Sequence, residues 1–74
     1  MITIKNIQDR VKEAIHGCGL SQTELARRLN IKQSNISDYL KGKKSPSLET
    51  FANLCAILDL DTREMLCIDS FKED

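Results

Sequence analysis

Seventy-four residues, 41% of them apolar and 30% charged, supply one small hydrophobic core and point to a single domain over residues 1–74. The longest apolar run is Leu54-Cys55-Ala56-Ile57-Leu58, far short of the roughly 18 residues of a membrane span, and the opening MITIKNIQDR lacks the apolar stretch of a secretory signal. A cytoplasmic chain with no membrane partner is the expectation.

The formal net charge is zero, which argues against nucleic acid until the chain is divided. Residues 1–26 balance to zero. Residues 27–44 carry Arg27, Arg28, Lys32, Lys41, Lys43 and Lys44 against Asp38 alone, a charge of +5. Residues 45–74 carry −5. A basic middle segment in a neutral chain points to an anionic partner for that segment.

The elements follow in chain order. The first helix is predicted over about 4–16, capped by Thr3, with Ile4, Ile7, Val11, Ala14 and Ile15 on one stripe. Gly17 and Gly19 end it. Ser21-Gln22-Thr23-Glu24 is a capping box that opens a second helix over 22–29, with Leu25, Ala26 and Leu29 inward. Asn30 suits the left-handed residue that closes it. A third helix over 33–40 has only Ile36, Tyr39 and Leu40 for the core, so Gln33, Ser34, Asn35, Ser37 and Asp38 are left outside.

Lys41-Gly42-Lys43-Lys44-Ser45-Pro46 is a basic loop. Ser47 caps a fourth helix over 48–58, with Leu48, Phe51, Ala52, Cys55 and Leu58 as its core stripe. Asp61-Thr62-Arg63-Glu64 starts a fifth helix over 62–67, with Met65 and Leu66 inward, and residues 68–74 form a tail. No alternation long enough for a strand occurs. The fold class is all-α.

Two short helices joined by a tight turn, the second with a polar outer face, form a helix-turn-helix. The DNA major groove is about 12 Å wide and admits one α-helix. Its base edges are read by short side chains that donate and accept: an amide such as Gln33 pairs with N6 and N7 of adenine, Ser34 and Ser37 reach several bases, and Asp38 can accept from the cytosine amino group. The lysines supply attraction to phosphate.

Leu20-Ser21-Gln22-Thr23-Glu24-Leu25-Ala26 through Asn30-Ile31, then Asn35-Ile36-Ser37, Lys41-Gly42-Lys43 and Pro46-Ser47-Leu48-Glu49-Thr50, resemble the Cro/lambda-repressor-like, or Xre, helix-turn-helix family over roughly residues 4–67. The resemblance implies a five-helix lambda-repressor-like DNA-binding domain that regulates transcription from double-stranded operator DNA as a homodimer. Carried over by position, Gln33, Ser34, Ser37 and Asp38 meet bases, and Gln22, Lys32, Asn35, Lys43, Lys44 and Ser45 meet the backbone. Ile57, Met65, Leu66, Ile68 and Phe71 are the expected dimer interface.

Four positions depart from the family pattern. Lys32 stands where a Ser or Thr cap is usual, and Asp38 turns a negative charge toward DNA. Ile15 and Leu40 replace an Arg–Glu pair that several members bury. Replacing both partners of a buried pair by apolar residues is often neutral or stabilising, whereas replacing one strands a charge.

The remaining residues read as structural. His16 suits the end of a helix by its dipole, and with Cys18 it lacks the further ligands that a zinc site needs. Arg27 and Arg28 are expected on the solvent side of the second helix. Cys18, Cys55 and Cys67 show no C-x-x-C spacing and read as reduced thiols, with Cys55 in the core and Cys18 and Cys67 outside it. No nucleophile–base set, phosphate loop or carboxylate pair marks an enzyme, and neither a cofactor nor a small-molecule ligand is expected. The alternative is an antitoxin-like or co-regulator module that acts mainly by binding another protein.

Overall fold

The computed structural model describes residues 1–70. Five helices follow in order: α1 (Ile4–Gly17), α2 (Gln22–Leu29), α3 (Gln33–Lys41), α4 (Leu48–Ile57) and α5 (Thr62–Met65), then a 3₁₀ turn at Ile68–Ser70. No strand occurs among the described residues. The predicted elements are all present: α2 matches its predicted bounds, α1, α3 and α4 end one residue away from theirs, and α5 stops at Met65, ahead of the left-handed residue Cys67 (φ 63°).

Local signals fix the helix starts. Thr3 accepts from the Asn6 amide while the Asn6 side chain accepts from the Thr3 amide, a reciprocal box that holds the first turn of α1. Ser21 Oγ accepts from the Glu24 amide at 3.1 Å. The return half of that predicted box is missing, because the Glu24 carboxylate is engaged by Arg27 and Arg28. Ser47 caps α4 through the Thr50 amide, and Asp61 caps α5 through the Arg63 amide. Lys32 heads α3 with no side-chain cap, as its lack of a short acceptor dictates.

The turn between α2 and α3 rests on Asn30, which adopts a left-handed φ of 55° and sends its amide to the carbonyls of Ala26 and Arg27. Ile31 N–H donates to Ala26 O at 3.0 Å. Gly42, with φ 71°, ends α3 in the same way.

The core gathers Val11 and Ile15 of α1, Leu25, Ala26 and Leu29 of α2, Ile36 and Tyr39 of α3, Phe51, Leu54 and Cys55 of α4, and Met65 of α5. Leu25 and Ile36 are fully excluded from solvent. Each such side chain contributes about 1.5–3 kcal/mol of burial. α2 and α3 pack on each other and α1 lies against α3, so α3 is held from behind by two helices, while α4 in turn supports α2.

Five assignments need correction. Leu48 is 85% exposed and Ala52 is exposed, because the buried stripe of α4 runs through Phe51, Leu54, Cys55 and half-buried Leu58. Leu48 sits in the first turn, ahead of the point where α4 meets α2. Ile4 is likewise exposed, since no neighbouring element covers the start of α1. Cys67 is buried rather than exposed. Met65, expected at a dimer interface, is 5% exposed and belongs to the chain's own core, so it offers no surface to a partner.

Candidate nucleic-acid interface

α3 presents a graded surface. Gln33 and Ser34 in its first turn are exposed, whereas Asn35, Ser37 and Asp38 are half-buried beside neighbouring elements. Ile36 and Tyr39 point into the core and set this orientation. Burial, and secondarily the adjacent Asp38 charge, raises the Tyr39 hydroxyl pKa, so the ring is a neutral packing group.

The Gln33 amide does not hang free. Thr23 Oγ1 donates to Gln33 Oε1 at 3.0 Å, tying the first turn of α2 to the first turn of α3. Exposed Gln22 is the neighbouring residue on α2, and exposed Lys32 precedes Gln33. Thr23 was absent from the sequence-derived set. Its position inside the capping motif of α2 explains its helix-starting character but gives no sign of a partner on the next helix.

The loop after α3 brings a second group together. Lys43 N–H donates to Asp38 O at 2.9 Å, which folds the loop back on the helix end. Lys44 Nζ lies 3.7 Å from Asp38 Oδ2 and donates to Asn35 Oδ1. Ser45 Oγ accepts from Gln8 Nε2 at 3.4 Å, so α1 braces the loop. Lys43 is exposed beside these contacts. Gln33, Ser34, Ser37, Asp38 and the backbone-directed set Gln22, Lys32, Asn35, Lys43, Lys44 and Ser45 therefore all belong to the α2–α3–loop part of the fold.

Behind this surface, Glu24 collects two cations. Arg27 Nη2 reaches Glu24 Oε1 at 2.6 Å and Arg28 Nε reaches it at 3.0 Å. The hydrogen bonds from Arg27 and then Arg28 hold the Glu24 carboxyl at about 2, below the ordinary 4.5, and the same contact raises the Arg27 pKa. Both arginines are exposed, as expected, yet their charge is partly spent within α2.

The other predicted surface divides. Ile57 and Leu66 are half-buried and Ile68 is 40% exposed. Phe71 lies outside the described residues. Arg10 Nη1 donates to Glu64 O at 3.1 Å and lies 3.9 Å from Asp69, fastening the C-terminal turn to α1. Burial raises the Cys55 thiol pKa, which opposes a reactive thiolate. Among the described residues, no cluster of potential metal ligands occurs and no helix is long and apolar enough to cross a membrane.

A family model described as helix-turn-helix matches residues 11–65. The chain is 40% identical over 47 residues to an HTH-type transcriptional regulator for the conjugative element SXT of Vibrio cholerae, covering 64% of this chain and 22% of that protein. It is 33% identical over 57 residues to the HTH-type transcriptional regulator ImmR of Bacillus subtilis, covering 77% and 45%. It is 32% identical over 56 residues to the antitoxin HigA1 of Mycobacterium tuberculosis, covering 76% and 38%. The chain thus spans less than half the length of these relatives. No solved structure matches it. With the family model covering most of the five helices of the described residues and their α2–Asn30–α3 turn, the chain belongs to the Xre-type, Cro/lambda-repressor-like helix-turn-helix family of transcriptional regulators.

Proposed function

We propose that this chain is a sequence-specific double-stranded DNA-binding regulator that reads the major groove with α3 and acts in the cytoplasm as a homodimer. The observation that carries the reading is the Gln33 amide, exposed at the head of α3, oriented by Thr23 and preceded by Lys32, with the Lys43–Lys44 loop beyond the other end of the helix. A pre-set amide at a helix start matches the paired donor and acceptor of an adenine edge. Ser34 and Ser37 lie on the same helix for adjoining bases, and Asp38 offers an acceptor to a cytosine amino group. Gln22, Lys32, Asn35, Lys43, Lys44 and Ser45 surround them as polar and cationic groups for phosphate, which positions the protein without reading sequence.

One recognition helix covers only a few base pairs. Two copies on half-sites about 34 Å apart supply a usable address, which is the reason for proposing a dimer. The experiment is to select a preferred duplex from a random library and compare Gln33→Ala with wild type. A loss of about 1–3 kcal/mol on the selected duplex, with little loss on mixed-sequence DNA, supports base reading. Equal losses on both reject it.

A second reading is favoured by one observation, the similarity to an antitoxin. In that case the chain works chiefly by binding another protein, and the α3 surface is secondary. Its mark is a regulatory output in cells that survives Gln33→Ala combined with Lys43→Gln.

A further inference from the structure

Counted along the chain, residues 1–26 are electrically neutral, but the fold sorts their charges by face. Lys5, Gln8, Asp9 and Lys12 share one helical stripe of α1, and this stripe meets Lys41 and Gly42 at the end of α3. Together they line an open groove of about 380 Å³. Asp9 is matched by Lys5, with Nζ and Oδ2 at 3.3 Å, an ordinary pair one turn apart. Lys41 sits in the last turn of α3, where the helix dipole accounts for a cation. Lys12 has neither explanation. It is half-buried, and among the described residues it pairs with no carboxylate.

The groove also continues the surface proposed for DNA. Gln8, which lines it, donates to Ser45 of the basic loop, so the α1 stripe and Lys43–Lys44 belong to one connected surface. We propose that this groove holds a backbone phosphodiester of the duplex outside the base pairs read by α3. Lys12 and Lys41 supply the counter-charge and Gln8 a neutral donor, so α1 becomes a second backbone anchor. The inference rests on the DNA-binding reading and adds a flanking contact to it.

The test is a salt titration of binding to a mixed-sequence duplex several helical turns long, for wild type, Lys12→Gln, Lys12→Arg and, as a remote control, Arg63→Gln on α5. Each phosphate neutralised contributes about 0.9 to the slope of log affinity against log salt. Lys12→Gln is expected to lower the slope by about that amount, Lys12→Arg to retain it, and Arg63→Gln to leave it unchanged. Hydroxyl-radical footprints on the selected duplex should lose protection only in the flank. A Lys12→Gln slope equal to wild type, or a loss matched by Arg63→Gln, overturns the groove and leaves the DNA-binding reading standing. Wild type that binds no duplex overturns both.

Discussion

Asp38 and Lys44 face each other across the end of α3, carboxylate and ammonium 3.7 Å apart, and the same ammonium donates to Asn35. The acid that departs from the family pattern is therefore not a bare repulsive charge. In the free protein its field is cancelled from the loop. On the proposed DNA-binding reading, a phosphate competes for Lys44 and frees Asp38 as an acceptor. Asp38→Ala should then relax discrimination at a single cytosine position by about 1–3 kcal/mol, measured on duplexes substituted one base pair at a time. A uniform change across all duplexes would assign Asp38 to holding Lys44 alone.

Lys43 is exposed beside this pair, in the loop after α3. Lys43→Gln should weaken binding to every sequence alike and lower the salt slope by about 0.9. An unchanged slope would remove the loop from the backbone contact.

The apolar replacement at the α1–α3 contact is tested by stability. Ile15 is buried and Leu40 packs against the same core. Leu40→Glu should lower unfolding free energy by about 2–4 kcal/mol, because it brings an unpaired carboxylate to a partly dry site. Adding Ile15→Arg should recover part of the loss through the restored pair. A single variant that melts like wild type would place Leu40 at an exposed position.

Glu24 gives a pH signature. Its carboxyl titrates at about 2 in the folded protein against an ordinary 4.5, owing to Arg27 and then Arg28. Between those values the unfolded chain binds a proton that the folded chain does not, so stability rises with pH. The contribution is fully present above 4.5 and is lost as pH falls toward about 2. Denaturant titrations should show this acid-limb slope in wild type and a flatter limb in Glu24→Gln. Identical limbs would remove the arginine pairing in solution.

For the proposed dimer, Ile68 is an exposed apolar residue of the C-terminal turn, and Phe71 follows it in sequence. Ile68→Ser with Phe71→Ser should shift sedimentation toward monomer and weaken the selected duplex more than mixed-sequence DNA. An unchanged dimer that binds as before would move the interface elsewhere.

Much of this fold is legible in the residues because the punctuation is local. Ser21, Asn30, Gly42 and Ser47 each act on their own few neighbours, and α2 and α3 accordingly begin where the sequence reading puts them. Facing is less legible. In α4 the residues 48, 51, 52 and 55 and the residues 51, 54, 55 and 58 are both acceptable helical stripes, and only the placement of α2 selects the second. The capping box at Ser21 fails by half because Arg27 and Arg28 outcompete a backbone amide for Glu24, a contest that no spacing rule includes. Contacts between elements were the least visible. The Thr23–Gln33 bond spans the turn, and the Gln8–Ser45 bond joins residues far apart in the chain. Summing charge by segment also hid the α1 lysines, which matter by face.

The division of α3 into an anchored side and an open side has an evolutionary consequence. Ile36 and Tyr39 hold the helix, while Gln33 and Ser34 are exposed and lie outside the buried cluster, Gln33 being tied only by its exposed bond to Thr23. Replacement of exposed residues of that kind usually shifts folding free energy by no more than about 0.5 kcal/mol. If α3 reads bases as proposed, descendants of this chain can exchange one operator for another by drift at those two positions, acquiring a new target without passing through an unfolded ancestor.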